Sequence, residues 1–157
     1  MTRTALASHA MRAFAEHEHV EIRPGIDQIR EAAIALSEGP RPEAVERVRH
    51  VCRWIDLVLA PHMAWEEGWL YPQLDELAGT DWATRSIRFD HRQIARLAGR
   101  VRDRLVELGR ADGPHTRIVE RDLFALEAML DAHLEREERY LLPLLDGERV
   151  GAEGVHR

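Results

Sequence analysis

The sequence predicts an all-α fold, an up-down-up-down four-helix bundle built from two helical-hairpin repeats. Three observations carry this. Chain breakers fall in three tight groups, Gly39-Pro40-Arg41-Pro42, Gly79-Thr80-Asp81 and Asp112-Gly113-Pro114. The long segments between them place apolar residues three and four apart, the period of a helix with one buried stripe, and none sustains the alternation of a strand. The second half of the chain also repeats the residue pattern of the first.

The first helix carries Phe14, Ile22, Ile26, Ile29, Ala33 and Leu36. The second carries Val48, Val51, Ile55 and Leu59, then Leu70 and Leu74. Ile87, Ile94, Leu97, Val101 and Leu105 mark the third, and Ile118, Leu123, Leu126, Leu130, Leu134, Leu141 and Leu145 the fourth. Pro42 and Pro114 stand where a first helical turn tolerates proline, and Thr80 or Asp81 is placed to cap the third helix. Pro24 and Pro61 fall inside helices, where each deletes a backbone hydrogen bond and either bends the axis or divides the helix. A bend at Pro61 would aim His62. The 157 residues make one domain, its core at about 10–146, with a frayed tail over 147–157.

Composition narrows the chemistry. Twenty-two basic residues, all Arg, face 28 acidic ones for a net charge of -6, which argues against a nucleic-acid partner. Without Lys there is no Schiff-base or P-loop lysine. A single cysteine, Cys52, excludes an internal disulfide and a thiolate zinc site, and is read as a small core residue. No apolar run approaches the ~20 residues of a membrane span, and the N-terminus lacks a secretory layout, so a cytoplasmic location is expected.

The nine histidines remain to be explained. His62-Met-Ala-Trp-Glu66-Glu67-Gly-Trp69-Leu70-Tyr-Pro72-Gln-Leu74-Asp75 matches His133-Leu-Glu-Arg-Glu137-Glu138-Arg-Tyr140-Leu141-Leu-Pro143-Leu-Leu145-Asp146 at His, Glu, Glu, Leu, Pro, Leu and Asp, at an offset of 71. Upstream lie Glu18-His19 and Asp90-His91, offset by 72. Four residues advance a helix by about 400°, so His and Glu in His-x-x-x-Glu sit one turn apart on one face. The intervals between the four His are 43, 29 and 42 residues. Long, short, long sets all four at one level of an alternating bundle, nearer one end. The predicted site is therefore His19, His62, Glu66, His91, His133 and Glu137 facing inward. Imidazole with carboxylate suits iron, manganese or zinc, and six donors suit two metals, each with two His and both carboxylates shared. Positions left open would admit a small molecule.

These residues resemble the hemerythrin-like family, in its His-His-Glu cation-binding branch, over roughly residues 10–146. The resemblance implies two iron ions in an oxo- or hydroxo-bridged centre, with zinc or manganese as substitutes. It implies a protein that binds or senses O2, NO or peroxide. A catalase-like di-iron enzyme and a metal-storage or zinc-filled structural bundle are the alternatives. Oxygen carriers of the family have a further His four residues before the third-helix His, where this chain has Ile87. They also take an acid five residues after the last His, which would select Glu138, but the repeat places Glu137 opposite Glu66.

His17 with Glu21 also forms His-x-x-x-Glu, but lies about 200° around the helix from His19 and reads as a solvated decoy. His9, His50, His115 and His156 have no partner in the repeat and are assigned to the surface. Trp69 and Tyr140 stand seven residues after their His, nearly on the same face, and are expected to wall the ligand pocket, with core packing as the alternative. Glu67 and Glu138 are outer or solvent acids. Glu18 and Asp90 either hold an imidazole or stabilise a helix.

Overall fold

Residues 15, 22, 26, 29, 33 and 36 of the first helix, all buried, fall on the alternating three- and four-residue steps that keep one seam of a helix facing its neighbours. In a computed structural model describing residues 3–39, 41–108 and 114–147, they lie on one helix, α1 (Arg3–Glu38). Pro24 does not divide it. The second rod runs as α2 (Arg41–Trp54), α3 (Ala60–Trp65) and α4 (Tyr71–Ala78), joined end to end by two π-helical turns, Ile55–Leu59 and Glu66–Leu70. Pro61 stands in the first turn of α3, directly after a π turn, so the rod continues through it. Gly79, at φ 66°, then ends α4, and the Thr80 N–H donates back to the Asp75 carbonyl.

The third rod is α5 (Trp82–Leu108), which Thr80 caps by accepting the Trp82 N–H, as its sequence position suggested. The fourth is α6 (Pro114–Arg136), followed by a π turn, Glu137–Leu141, and a 3-10 turn, Leu142–Asp146. No strand occurs among the described residues. Asp112, Gly113 and the tail beyond Gly147 lie outside them. The rods pack in a ring: α1 against α2 and α6, and α5 against α2 and α6. Each Ile or Leu sealed inside contributes about 1.5–3 kcal/mol of burial.

Two apolar clusters result. The larger runs from Ile22 through Val48, Ile94 and Leu123 to Leu134; the smaller gathers Ala15, Leu70, Tyr71, Leu74, Ile87, Leu141, Leu142 and Leu145. Cys52 is buried in the larger, as a small core residue.

Two contacts outside the seam lend themselves to test. Gly25 lies against Trp54, whose Cε2 would be 1.9 Å from an added Cβ. Gly25→Ala is therefore expected to lower stability by about 1–3 kcal/mol through overpacking, despite the better helix propensity of alanine. A thermal melt checks this. Asp122, buried, accepts from Arg100 (Nε 2.9 Å) and Arg121 (3.0 Å). Burial opposes its charge, but these guanidiniums outweigh burial and hold its pKa below the usual value. A depressed folded pKa contributes stability above the unfolded value, lost as pH falls through the folded one. Asp122→Asn should thus cost about 1–3 kcal/mol near neutrality. The gap between variant and wild type should close in melts taken at progressively lower pH.

Candidate metal centre

Between the two apolar clusters the seam changes character. On α1, His19 takes the step between Ala15 and Ile22; on α5, His91 takes the step between Ile87 and Ile94. On the second rod His62 and Glu66 lie between Leu59 and Leu70, and His133 and Glu137 precede Leu141 on the fourth. The same packing that buries Ile and Leu thus buries four imidazoles and two carboxylates, all 4% exposed or less. All six residues singled out from the sequence meet in this layer.

They form two overlapping groups. His19, His62, Glu66 and Glu137 offer ligand atoms within 4.8 Å of one another, and so do Glu66, His91, His133 and Glu137. Glu66 Oε1 lies 3.0 Å from His62 Nε2, and its Oε2 lies 3.1 Å from His91 Nε2. Glu137 Oε2 stands 3.2 Å from His19 Nε2 and 3.6 Å from His133 Nε2. Both carboxylates are therefore shared between two pairs of imidazoles.

Hydrogen bonds account for only part of this convergence. Nε2 of His19 and of His62, Oε1 of Glu66 and Oε2 of Glu137 are buried without a hydrogen-bond partner. Buried polar atoms normally have one, since leaving such a group unpaired costs about 1–3 kcal/mol. Nitrogen and oxygen lone pairs aimed at common points are what a divalent or trivalent cation satisfies. The donor set fits one.

Outer acids orient the imidazoles through their far nitrogens. Glu138 Oε1 lies 3.1 Å from His19 Nδ1, and Glu67 Oε1 lies 3.0 Å from His91 Nδ1. Glu18 stands 3.8 Å from His62 Nδ1, and Asp90 stands 3.9 Å from His133 Nδ1. Each His thus has a carboxylate behind it, but only those of His19 and His91 are within hydrogen-bond distance, the arrangement that fixes ring orientation and turns Nε2 toward a metal. Glu138 is held in turn by Arg23 (2.8 Å), and Asp90 by Arg136. Of the two acids in each pair, the repeat singled out the inner one: Glu137 is fully buried, while Glu138 backs His19.

Charge follows the geometry. Burial disfavours a proton on His19, but Glu137 and Glu66 outweigh burial and raise its pKa to about 10. Burial likewise opposes the charge on Glu66, yet His19, His62 and His91 hold its pKa well below the ordinary carboxylate value. His91 is raised by Glu66 against the pull of burial.

Trp69 and Tyr140 do not wall the centre. They are 68% and 47% exposed. The π turns at Glu66–Leu70 and Glu137–Leu141 explain this. Tyr71 N–H donates to the Glu66 carbonyl, and Leu142 N–H to that of Glu137, so each turn holds one extra residue. An extra residue turns everything after it back by about 100°, so Leu70 and Leu141 take the faces expected for Trp69 and Tyr140.

The same displacement brings in a residue the sequence pattern did not mark. Tyr71 is nine residues after His62, about 180° away on an unbroken α-helix. With the wide turn it is fully buried, and its hydroxyl donates to Glu137 Oε1 at 2.5 Å. That hydroxyl also lies 3.0 Å from His91 Nε2. Burial and the nearby Glu137 and Glu66 push the phenol far above its ordinary pKa. The one hint in sequence is that Tyr71 is hydroxylated where the repeat has Leu142.

His17 and Glu21 are exposed, as read from their face, and so are His9 and His50; His115 is half-buried and paired with Glu107 at 3.0 Å. His156 lies outside the described residues. No helix among the described residues is long and apolar enough to cross a membrane.

Searches of curated proteins and of solved structures returned no match. The family model for the hemerythrin HHE cation binding domain matches residues 11–152, spanning all four rods and every residue of the buried cluster. The chain belongs to the hemerythrin HHE cation-binding domain family.

Proposed function

We propose that the centre holds two iron ions and that the protein binds or senses a small diatomic or peroxide ligand, O2, NO or hydrogen peroxide. The observation that carries this is the pair of overlapping four-donor groups sharing Glu66 and Glu137. His19 and His62 would hold one ion, His91 and His133 the other, with the two carboxylates between them. Paired iron supplies redox-active positions to which a small ligand can bind.

The protein's own part is to hold and to exclude. Glu138 and Glu67 keep the imidazoles of His19 and His91 aimed inward, and the apolar clusters above and below keep bulk water out. A 210 Å³ surface cavity lined by Met63, Ala64, Glu67, His91, Arg92 and Ala95 reaches the outer edge of His91. Donors so deeply buried leave room for a ligand of a few atoms rather than an organic substrate. The up-down-up-down sense of the rods belongs to this reading: it sets all four His at one level despite their 43-, 29- and 42-residue spacing.

The test is anaerobic loading with ferrous iron, followed by metal analysis and titration with NO, O2 and peroxide. Two irons per chain and reversible ligand-dependent spectra are expected. Rapid O2 evolution from added peroxide would favour the catalase-like reading. Two zinc ions and no affinity for iron would favour a structural bundle. His62→Ala, which deletes one donor from one group, should lower metal content sharply; unchanged stoichiometry would remove His62 from the site.

A further inference from the structure

Tyr71 breaks the equivalence of the two halves of the centre. Its hydroxyl lies 2.5 Å from Glu137 Oε1, 3.0 Å from His91 Nε2 and 3.5 Å from Glu66 Oε2, three of the four residues in one donor group. The ring is buried in the smaller apolar cluster with Leu70, Leu74 and Ile87, with the Arg88 guanidinium over it at 5.0 Å and the His91 ring at 5.3 Å, and its oxygen reaches the polar layer. Nothing repeats this in the other half: the matching position is Leu142, apolar and buried. One turn before His91, where an oxygen carrier has a further His, stands the buried side chain of Ile87. A cation close enough to bond Nε2 of His91 and of His133, Glu66 and Glu137 would have the phenol oxygen beside it as a further protein donor.

We propose that Tyr71 is a seventh protein donor, a ligand through its phenol oxygen to the ion held by His91 and His133, so that the two ions are chemically distinct. Ligation replaces the O–H bond by an oxygen–metal bond and releases one proton to the buffer. The proposal rests on the metal-centre reading above, and its failure is separable from the failure of that reading.

The experiment uses the whole chain, loaded with ferrous iron and then oxidised in air. A phenol oxygen bound to ferric iron absorbs visible light, and excitation there enhances tyrosine ring vibrations in the Raman spectrum. The chain has two tyrosines, Tyr71 and the exposed Tyr140. Expected are enhanced ring modes in wild type and in Tyr140→Phe, and their complete loss in Tyr71→Phe, which keeps the ring in its apolar seat. Wild type with two irons and no ring modes would overturn the proposal and leave the metal centre standing, with Tyr71 reduced to a hydrogen-bond donor to Glu137. Loss of the modes in Tyr140→Phe, or their survival in Tyr71→Phe, would also overturn it. A wild-type chain that takes no iron would overturn both readings.

Discussion

Glu66→Gln is expected to weaken metal binding at both halves of the centre at once, by more than about 100-fold. Metal content after gel filtration should fall from two ions per chain to fewer than one. Glu66 presents one oxygen to His62 and the other to His91, at 3.0 and 3.1 Å, and belongs to both donor groups. Glutamine has the same volume, so the seam between Leu59 and Leu70 remains filled, but it brings no charge and offers an amide nitrogen with no lone pair to donate. A single histidine change strips one group only. Metal analysis side by side on Glu66→Gln and His62→Ala distinguishes a shared carboxylate from an ordinary ligand. Two ions retained at wild-type affinity in Glu66→Gln would show that the carboxylate does not bridge.

Chelation of the loaded protein should lower its melting temperature by about 10–20 °C. Each site filled at about 100 times its dissociation constant adds about 2.7 kcal/mol to the folded state. For a chain of this size each kcal/mol moves the midpoint by about 2–4 °C. The physical source is the polar layer itself. Orphaned nitrogens and oxygens on His19, His62, Glu66 and Glu137 hold positions that elsewhere on the seam belong to Ile and Leu. Without a cation they cost desolvation that the surrounding packing must offset. Differential scanning calorimetry with and without chelator measures the difference. A melting temperature indifferent to metal would mean that the layer is satisfied some other way.

The apolar faces were legible because burial leaves a periodic trace. Steps of three and four residues mark the seams of all four rods, and Gly79 and Thr80 announce a helix end and the next start. The donors were legible for a related reason. His19, His62, Glu66, His91, His133 and Glu137 occupy seam positions where apolar residues would otherwise stand, and a duplicated His-x-x-x-Glu is hard to obtain from solvated residues. Preferring Glu137 to Glu138 and His19 to His17 needed only the helical angle and the repeat.

The environment of each donor was a different matter. Glu18, Glu67, Asp90 and Glu138 are visible as acids beside the motif, but which imidazole each one backs depends on which rods are neighbours. Glu67 reaches across to His91 on α5, and Glu138 to His19 on α1.

Local spacing by itself determined the helices, their buried faces and the six inward His and Glu side chains, because both helical period and burial act over a few residues. Only the tertiary structure decided where the period slips. Two π turns, Glu66–Leu70 and Glu137–Leu141, each holding one extra residue, carried Trp69 and Tyr140 out to solvent, and the first of them swung Tyr71 into the polar layer. A widened turn trades regular hydrogen bonding for better packing against other rods, and that balance is struck between helices distant in the chain.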